Sequence, residues 1–234
     1  MNTSHFIYLL VDVLCFIFPF ILSFLKPFRF VEYGKSFLLA ATITSIPFLI
    51  WDSIFTRLSV WWFSEKYTLP FRIFSLPVEE ILFFFAIPYA CVFSYHVIKK
   101  FIPKLISDKG IQIIMVLLIA CTASVAFLNT ERYYTFWTFF FLSIFILYLL
   151  LSKKFTLMYY CVIMFIFVFP MMILSNGVLT GGFIVQSPIV NYNPLHHIGI
   201  RIISIPVEDF FYGFLLLGLN ASFFEKFSKK FQNS

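Results

Sequence analysis

Charged residues are scarce in this sequence. Asp, Glu, Lys and Arg together make up 12% of the 234 residues, whereas about a quarter of the residues in an ordinary soluble domain are charged. Hydrophobic residues make up 61% of the chain, and 36 residues are phenylalanine. The shortage of charge excludes a water-soluble globular domain with one large core. It predicts an all-α, polytopic membrane protein.

Cysteine and aspartate are scarce as well. Cys15, Cys91, Cys121 and Cys161 stand singly in apolar segments, with no pair at the spacing of a metal or redox site. We therefore interpret them as small apolar core residues and predict no metal site. Only four aspartates are present. This disfavours a prenyltransferase, because such enzymes use Asp-rich pairs to hold Mg²⁺ and a diphosphate.

Seven apolar runs are near the length needed to cross the ~30 Å hydrocarbon layer of a membrane. The first run begins without a preceding Lys or Arg and continues for about 20 residues, which indicates a spanning helix rather than a cleaved signal peptide. The second run is short, and its boundary is the least defined. The predicted spans are Phe6–Leu25, Ser36–Trp51, Arg72–Ile98, Ile111–Leu128, Thr135–Leu151, Phe155–Leu174 and Arg201–Phe224.

Basic residues concentrate in the loops on one side of these spans. The positive-inside rule assigns that side to the cytoplasm, which predicts a multi-pass protein of the cell membrane with its N-terminus outside and its C-terminus inside. The net charge of +6 is thereby explained by topology, so no nucleic-acid partner is expected. The basic residues on this side are Lys26, Arg29, Lys35, Lys99, Lys100, Lys104, Lys109, Lys153, Lys154, Lys226, Lys229 and Lys230.

One segment of the sequence is repeated at a constant offset of 129 residues. Residues 67–80, YTLPFRIFSLPVEE, match residues 196–209, HHIGIRIISIPVED. Both copies end in two adjacent acids inside an apolar span. The R-x-x-S-x-P-V-E-[ED] pattern is too long to recur by chance in one short chain, so we interpret the two segments as equivalent positions of an internal repeat.

The spans fit the same offset. We predict a first three-span repeat in residues 1–100, a crossover span in residues 101–130 and a second three-span repeat in residues 131–234. Four spans separate the two motif helices, so these helices run in the same direction. The repeats would then be parallel and related by a pseudo-twofold axis along the membrane normal. Such an axis places both acid pairs at equal depth and could bring all four carboxylates to one chamber.

The acid pairs, Glu79 with Glu80 and Glu208 with Asp209, are the candidate catalytic residues. An ionisable side chain within a span costs at least ~2.5–3.5 kcal/mol and usually marks a functional site. Adjacent residues of a helix point about 100° apart, so one acid of each pair is expected to face the chamber and the other a neighbouring helix or an arginine. Carboxylates gathered in a low dielectric cannot all ionise, so we expect a neutral acid beside a carboxylate base.

The depth of these acids depends on where the motif helices begin. A start at Arg72 and Arg201 would place Glu79 and Glu208 about 10 Å along the helix axis. A start at Pro77 and Pro206 would place the acids in the first turn, where the helix dipole favours anions. The sequence leaves both alternatives open.

Aromatic and polar residues near the motifs are candidates for substrate binding. Aromatic faces can stabilise a carbocation, and an arginine can hold a carboxylate ionised. His196 and His197 have no other ligand nearby, and we interpret them as solvated loop residues rather than a metal site. The candidate substrate-binding residues are Arg72, Arg201, Trp51, Asp52, Trp61, Tyr67, Phe83, Phe84, Phe211, Tyr212, Asn193 and Asn220.

Five short motifs resemble those of the membrane-integral lycopene cyclases. They are WD at Trp51–Asp52, VWWF at Val60–Phe63, LPVEEILFF at Leu76–Phe84, YNP at Tyr192–Pro194, and IPVEDFFYGF continuing to Asn220. The chain is similar to the fused form of this family, over both halves. It departs from the usual pattern in the first outer loop, with Ser59 and Pro70 in place of glycines and Ser64-Glu65 in place of Asn-Pro.

The resemblance implies cyclisation of the linear ends of lycopene to β-ionone rings. In that reaction a proton adds at C2 of the end group, and the resulting cation at C1 joins C6 with loss of a proton. The implied partners are a C40 carotenoid and membrane lipid, and contacts with other carotenoid-pathway enzymes are compatible with it. No cofactor is expected, since the chain lacks the G-x-G-x-x-G of flavin-binding folds.

Other membrane proteins use intramembrane acids differently. An intramembrane protease of the E-E-x-x-x-R type would need an arginine where this chain has Phe84. A retinal protein would need a Schiff-base lysine in the last span, which Arg201–Phe224 lacks. The remaining alternative is a carotenoid-binding or proton-coupled transport protein that uses the four acids without ring chemistry.

Overall fold

The computed structural model describes residues 3–232 and contains seven helices that are long and apolar enough to cross a membrane. The all-α, polytopic architecture predicted from the sequence is thereby confirmed. The helices are α1 (Ile7–Leu22), α2 (Gly34–Arg57), α3 (Val78–Phe101), α4 (Asp108–Leu128), α5 (Tyr133–Leu151), α6 (Phe155–Leu179) and α7 (Val207–Gln232).

Three of the predicted boundaries differ from the structure in ways that matter for the acids. Helix α2 continues to Arg57, so Asp52, which we expected to open an outer loop, lies buried inside the helix. An aspartate is tolerated there because its carboxyl group finds hydrogen-bond partners on neighbouring helices. Helices α3 and α7 begin at Val78 and Val207 rather than at the preceding arginines.

The starts of α3 and α7 follow from the prolines before them. Pro77 is the N-cap of α3 in extended conformation, with φ −64° and ψ 151°, and it has no N–H that would need a partner. Glu79 and Glu80 consequently lie in the first turn of α3, where the N-terminal end of the helix dipole favours negative charge. Glu208 and Asp209 occupy the same positions in α7. The first-turn alternative for the depth of the acids is the correct one.

The loops contain short strands, which the sequence did not predict. Two of the antiparallel pairings are hairpins that directly precede α3 and α7. The first hairpin turns through Phe74 and Ser75, both with positive φ, and the second turns through Ile203 with φ 61°. The strands are β1 (Trp61–Phe63), β2 (Arg72–Ile73), β3 (Leu76–Pro77), β4 (Val190–Tyr192), β5 (Arg201–Ile202) and β6 (Ile205–Pro206).

A third pairing joins the two long loops to each other. Strand β1 pairs antiparallel with β4, with Trp61 opposite Tyr192 and Trp62 opposite Asn191. We call this β1–β4 pair the ribbon. Trp62 and Asn191 are themselves 129 residues apart, so the centre of the ribbon pairs two positions that are equivalent in the predicted repeat. A twofold axis through the ribbon would produce this register, although the division into residues 1–100, 101–130 and 131–234 stays a prediction.

The helices pack so that α3 and α7 are central. Helix α3 contacts α1, α2, α6 and α7, and α7 contacts α2, α5 and α6 as well, whereas α4 lies outside against α5 and α6. The main apolar core fills the space between these helices. A second apolar cluster lies beneath the ribbon and includes Tyr8, Trp61, Phe63 and Ile189. The first turns of α3 and α7 therefore lie between the main core and the ribbon.

Candidate active site

A cavity of about 340 Å³ lies between α1, α3, α6 and α7, with the ribbon at one end. Its acidic and phenolic side chains lie at the ribbon end, where the motif helices begin, whereas most of the remaining wall is apolar. The acidic and phenolic side chains that line it are Tyr8, Asp52, Glu80, Tyr134, Tyr192, Asp209 and Tyr212.

The four motif acids divide into two kinds. Glu80 and Asp209 line the cavity, whereas Glu79 and Glu208 do not. Glu79 accepts the backbone N–H of Leu69 at 2.6 Å, and Glu208 accepts that of Ile198 at 2.7 Å. The expectation that all four carboxylates converge on one chamber is therefore wrong. The 100° between successive helical residues turns one acid of each pair to the cavity and the other to the preceding loop.

On the first motif helix, Glu80 belongs to a chain of four polar groups. The Tyr8 hydroxyl donates to Glu80 Oε2 at 2.5 Å, the Tyr212 hydroxyl donates to Asp52 Oδ1 at 2.9 Å, and the carboxyl groups of Glu80 and Asp52 lie beside each other. Two adjacent carboxyl groups in a buried site cannot both ionise without a large cost in free energy. We therefore expect the Glu80–Asp52 pair to share one proton.

On the second motif helix, Asp209 receives two phenol donors. Tyr134 donates to Oδ1 at 2.6 Å and Tyr192 donates to Oδ2 at 2.9 Å. Burial raises the pKa of Tyr192, and the neighbouring Asp209 raises it further, so this phenol keeps its proton. Hydrogen bonds donated to both oxygens stabilise the ionised form of a carboxyl group. The two carboxyl centres that line the cavity thus have different surroundings.

The two arginines of the motifs lie away from these acids. Both are exposed on the hairpins, where Arg72 Nη1 donates to Ser75 O at 3.4 Å and Arg201 Nη1 to Ser204 O at 2.5 Å. Within residues 3–232 neither arginine forms an ion pair with a carboxylate. A direct pairing of an arginine with a motif acid is therefore not found, although the Arg201 guanidinium lies 5.7 Å from the ring centroid of Tyr192, the phenol that donates to Asp209. Their hydrogen bonds close the hairpin turns instead.

The remaining sequence candidates divide between the cavity and the packing around it. Trp61, Phe83, Asp52 and Tyr212 line the cavity, and Trp51 packs on the Tyr212 ring with a centroid distance of 5.1 Å. The others are absent from the wall: Tyr67 and Phe84 are buried elsewhere, Phe211 packs on Phe139, Asn193 donates to Ser59 O, and Asn220 donates to Leu216 O.

His197 is not the solvated loop residue that we expected. It is buried, and its Nδ1 accepts the N–H of Gly199 at 2.9 Å, which fixes the loop that leads to β5. Burial lowers the pKa of His197, so the ring is neutral at pH 7. His196 is partly exposed and stacks on Tyr133. Among the described residues, no three His, Cys, Asp or Glu side chains are grouped as metal ligands.

Sequence reasoning missed the polar residues on the opening helix of each half. Tyr8 begins the inward face of α1, and Tyr134 lies at the corresponding place on α5. One turn after Tyr8, Asp12 is only 2% exposed, and both of its carboxyl oxygens lack a hydrogen-bond partner. Polar residues recurring every fourth position near the start of an apolar span were the available signal.

Comparisons with known proteins give one match. A family model described as lycopene cyclase matches residues 5–98 and 131–227, which together cover most of both motif helices and leave out the whole of α4. No curated protein and no solved structure matches the chain. The family match covers most of the sequence and agrees with membrane-spanning helices that enclose a cavity lined by three acids from different helices. The chain belongs to the lycopene cyclase family.

Proposed function

We propose that this carotenoid cyclase is a lycopene β-cyclase that works by proton transfer without a cofactor. One observation carries the proposal: two carboxyl centres from different helices line a single apolar cavity, and their hydrogen bonds differ. Glu80 lies beside a second buried carboxyl group, that of Asp52, which favours a shared proton, whereas Asp209 stands without such a partner and receives donors on both oxygens. An acid and a base in one water-poor cavity are what a proton-initiated isomerisation requires.

In the proposed mechanism Glu80 is the proton donor and Asp52 is its partner. A proton passes from the pair to C2 of the linear end group, which leaves a cation at C1. The electrons of the C5=C6 double bond then form the C1–C6 bond, which moves the cation to C5, and Asp209 removes the proton from C6 to re-form C5=C6 and give the β ring. The substrate gains one proton and loses one, so the reaction needs no oxidant. Proton transfer from Asp209 back to the Glu80–Asp52 pair, directly or through solvent, restores the starting state.

The cavity wall supports the cationic intermediate. Trp61, Phe83 and Tyr212 present aromatic rings beside the acids, and such rings stabilise a cation by about 0.5–2 kcal/mol each. The phenols on Asp209 hold its carboxylate in place, since each is fixed by packing against a neighbouring ring. Tyr134 and Tyr192 stack on each other with centroids 5.8 Å apart.

We also propose the orientation that the basic loops predict. The hairpins and the ribbon would lie on the outer side of the cell membrane, with the lysine-rich ends of α3 and α7 in the cytoplasm. The acids would then lie near the outer surface, in the first turns of their helices.

Expression in a lycopene-accumulating bacterium tests the function. We expect the wild-type protein to convert lycopene to γ-carotene or β-carotene, measured by chromatography of the pigments. Glu80→Gln and Asp209→Asn should each lower conversion by about 10²–10⁴-fold, the usual contribution of a general acid or base. Unchanged lycopene, from wild-type protein shown to be in the membrane, would contradict the assignment and favour a carotenoid-binding or transport role.

Glu79→Gln and Glu208→Gln are the matched controls. They change the same chemical group one position away, on side chains that bind loop backbone instead of lining the cavity. We expect these variants to retain cyclisation after normalisation for the amount of folded protein. Full activity of both Glu80→Gln and Asp209→Asn would refute the proposed site even if the wild-type enzyme is a cyclase.

A further inference from the structure

The cavity extends far beyond the acids. Along α3 its wall runs from Glu80 to Ser94, which is about 21 Å at 1.5 Å per residue. Along α1 it runs from Tyr8 to Pro19, or about 16 Å. We call this elongated part the slot. Because the helices cross the membrane, the slot runs along much of the ~30 Å hydrocarbon thickness.

One long side of the slot is open. Leu14 and Phe18 on α1 and Phe167 and Met171 on α6 line the cavity, yet each is more than half exposed. The opposite wall is closed, since its lining residues Cys91 on α3 and Leu216 and Leu217 on α7 are buried. The slot therefore opens sideways between α1 and α6. For a chain that spans a membrane, this opening faces lipid acyl chains.

The chemistry of the slot selects a long hydrocarbon without a charged head. Its closed end carries Glu80, Asp52 and Asp209, which would repel the phosphate of a lipid headgroup. Along its length most of the wall is apolar, apart from Ser94, Ser175, Asn176 and Thr180. It includes the flexible thioethers of Met171 and Met172, which adapt to an extended apolar chain. A ligand that ends in unsubstituted hydrocarbon fits both features.

We propose that the opening between α1 and α6 is the lateral portal of the enzyme and that the slot binds a linear polyene lengthwise. The proposal rests on the proposed function and adds where the substrate passes and how it lies. One end group reaches the acids, the conjugated chain lies along α3, and the far end stays in the bilayer. Since all the acids of this cavity are at one end of it, the two ends of a substrate react in separate binding events.

Four tryptophan variants test the portal. Leu14→Trp and Met171→Trp place a larger side chain at the opening. Leu10→Trp and Ile166→Trp are the controls, because these residues are similarly exposed on the same two helices but do not line the cavity. The larger ring obstructs the passage of the substrate, so we expect portal variants to convert lycopene roughly tenfold less at equal protein level. The controls should stay within about twofold of wild type.

The order of the two ring closures gives a second readout. Because the two ends are proposed to react in separate binding events, the monocyclic product should dominate at low conversion and the bicyclic product should appear after a lag. A merely unstable protein would lower conversion through its amount alone, which normalisation to folded protein in the membrane removes. Bicyclic product without a lag in the wild type, or unchanged conversion in both portal variants, would overturn the proposal.

Bound pigment identifies the occupant. Glu80→Gln protein purified from lycopene-accumulating cells should carry lycopene, and adding Leu14→Trp should remove most of it, whereas adding Leu10→Trp should not. Only phospholipid in all three preparations would overturn the polyene assignment. Wild-type protein that binds lycopene through the portal without converting it would refute the cyclase function but support the slot as the binding site. Conversion of lycopene by the wild type, together with portal variants of unaffected activity, would support the cyclase function and refute the portal.

Discussion

Asp52→Asn tests the proposed sharing of a proton between Glu80 and Asp52. In the wild type the two carboxyl groups lie beside each other, Tyr8 donates to Glu80, and Tyr212 donates to Asp52. The amide introduced by Asp52→Asn can donate an N–H to Glu80, so it stabilises Glu80 as a carboxylate, which is the wrong form for a proton donor. General acids contribute about 10²–10⁴-fold to rates. We therefore expect Asp52→Asn to lose at least about 100-fold of the cyclase rate.

Asp12→Asn is the control for that experiment. Asp12 is also a buried aspartate of the first half, but it has no hydrogen-bond partner and does not line the cavity. Its replacement should leave cyclisation within about threefold of wild type, since no hydrogen bond is lost. Pigment conversion is measured in membranes with equal amounts of each protein. An active Asp52→Asn variant, or an Asp12→Asn variant impaired to the same degree, would refute the shared-proton reasoning.

Two further predictions concern stability, measured by thermal unfolding in detergent. Thr135 donates to the buried Glu208 at 2.7 Å, so Thr135→Val should lower the free energy of unfolding by about 1.5–3 kcal/mol. Thr138 lies on the same face of α5 and its hydroxyl lacks a hydrogen-bond partner, so Thr138→Val should not lower it. Burial lowers the pKa of His197, so the folded state binds fewer protons, and stability should fall as the pH drops below about 6.5. His197→Gln should reduce this dependence of stability on pH, whereas His196→Gln should not. If the two variants lost stability equally steeply as the pH falls, the prediction would be wrong.

The sequence predicted the number of spanning helices because the length of each apolar run determines whether it can cross a membrane. Each of the seven predicted runs corresponds to one helix in residues 3–232, and the errors lie at the helix ends. Asp52 was assigned to a loop because an isolated aspartate breaks an apolar run. It stays helical because Tyr212 and Glu80 satisfy it. Partners more than twenty residues away cannot be read from local composition, and neither can the pairing of β1 with β4.

The site was predictable in kind but not in detail. The repeat identified Glu80 and Asp209, and helical geometry predicted that one acid of each pair would face away. Which acid faces the cavity depends on the first helical residue, and the sequence left that open between the arginines and the prolines. Tyr8 and Tyr134 were missed because a tyrosine at the end of a spanning helix ordinarily indicates the membrane interface. Their role emerges only from the carboxylates opposite them.

The ribbon has a consequence for how the two halves come together. Its strands come from loops on either side of α4, and its central pair joins Trp62 to Asn191. A break in the backbone between α3 and α4 would leave every ribbon hydrogen bond and every residue of the cavity wall in place. Covalent continuity is thus not what aligns the acid of one half with the base of the other. The strand pair holds the register, so it could guide two separate polypeptides to the same assembly.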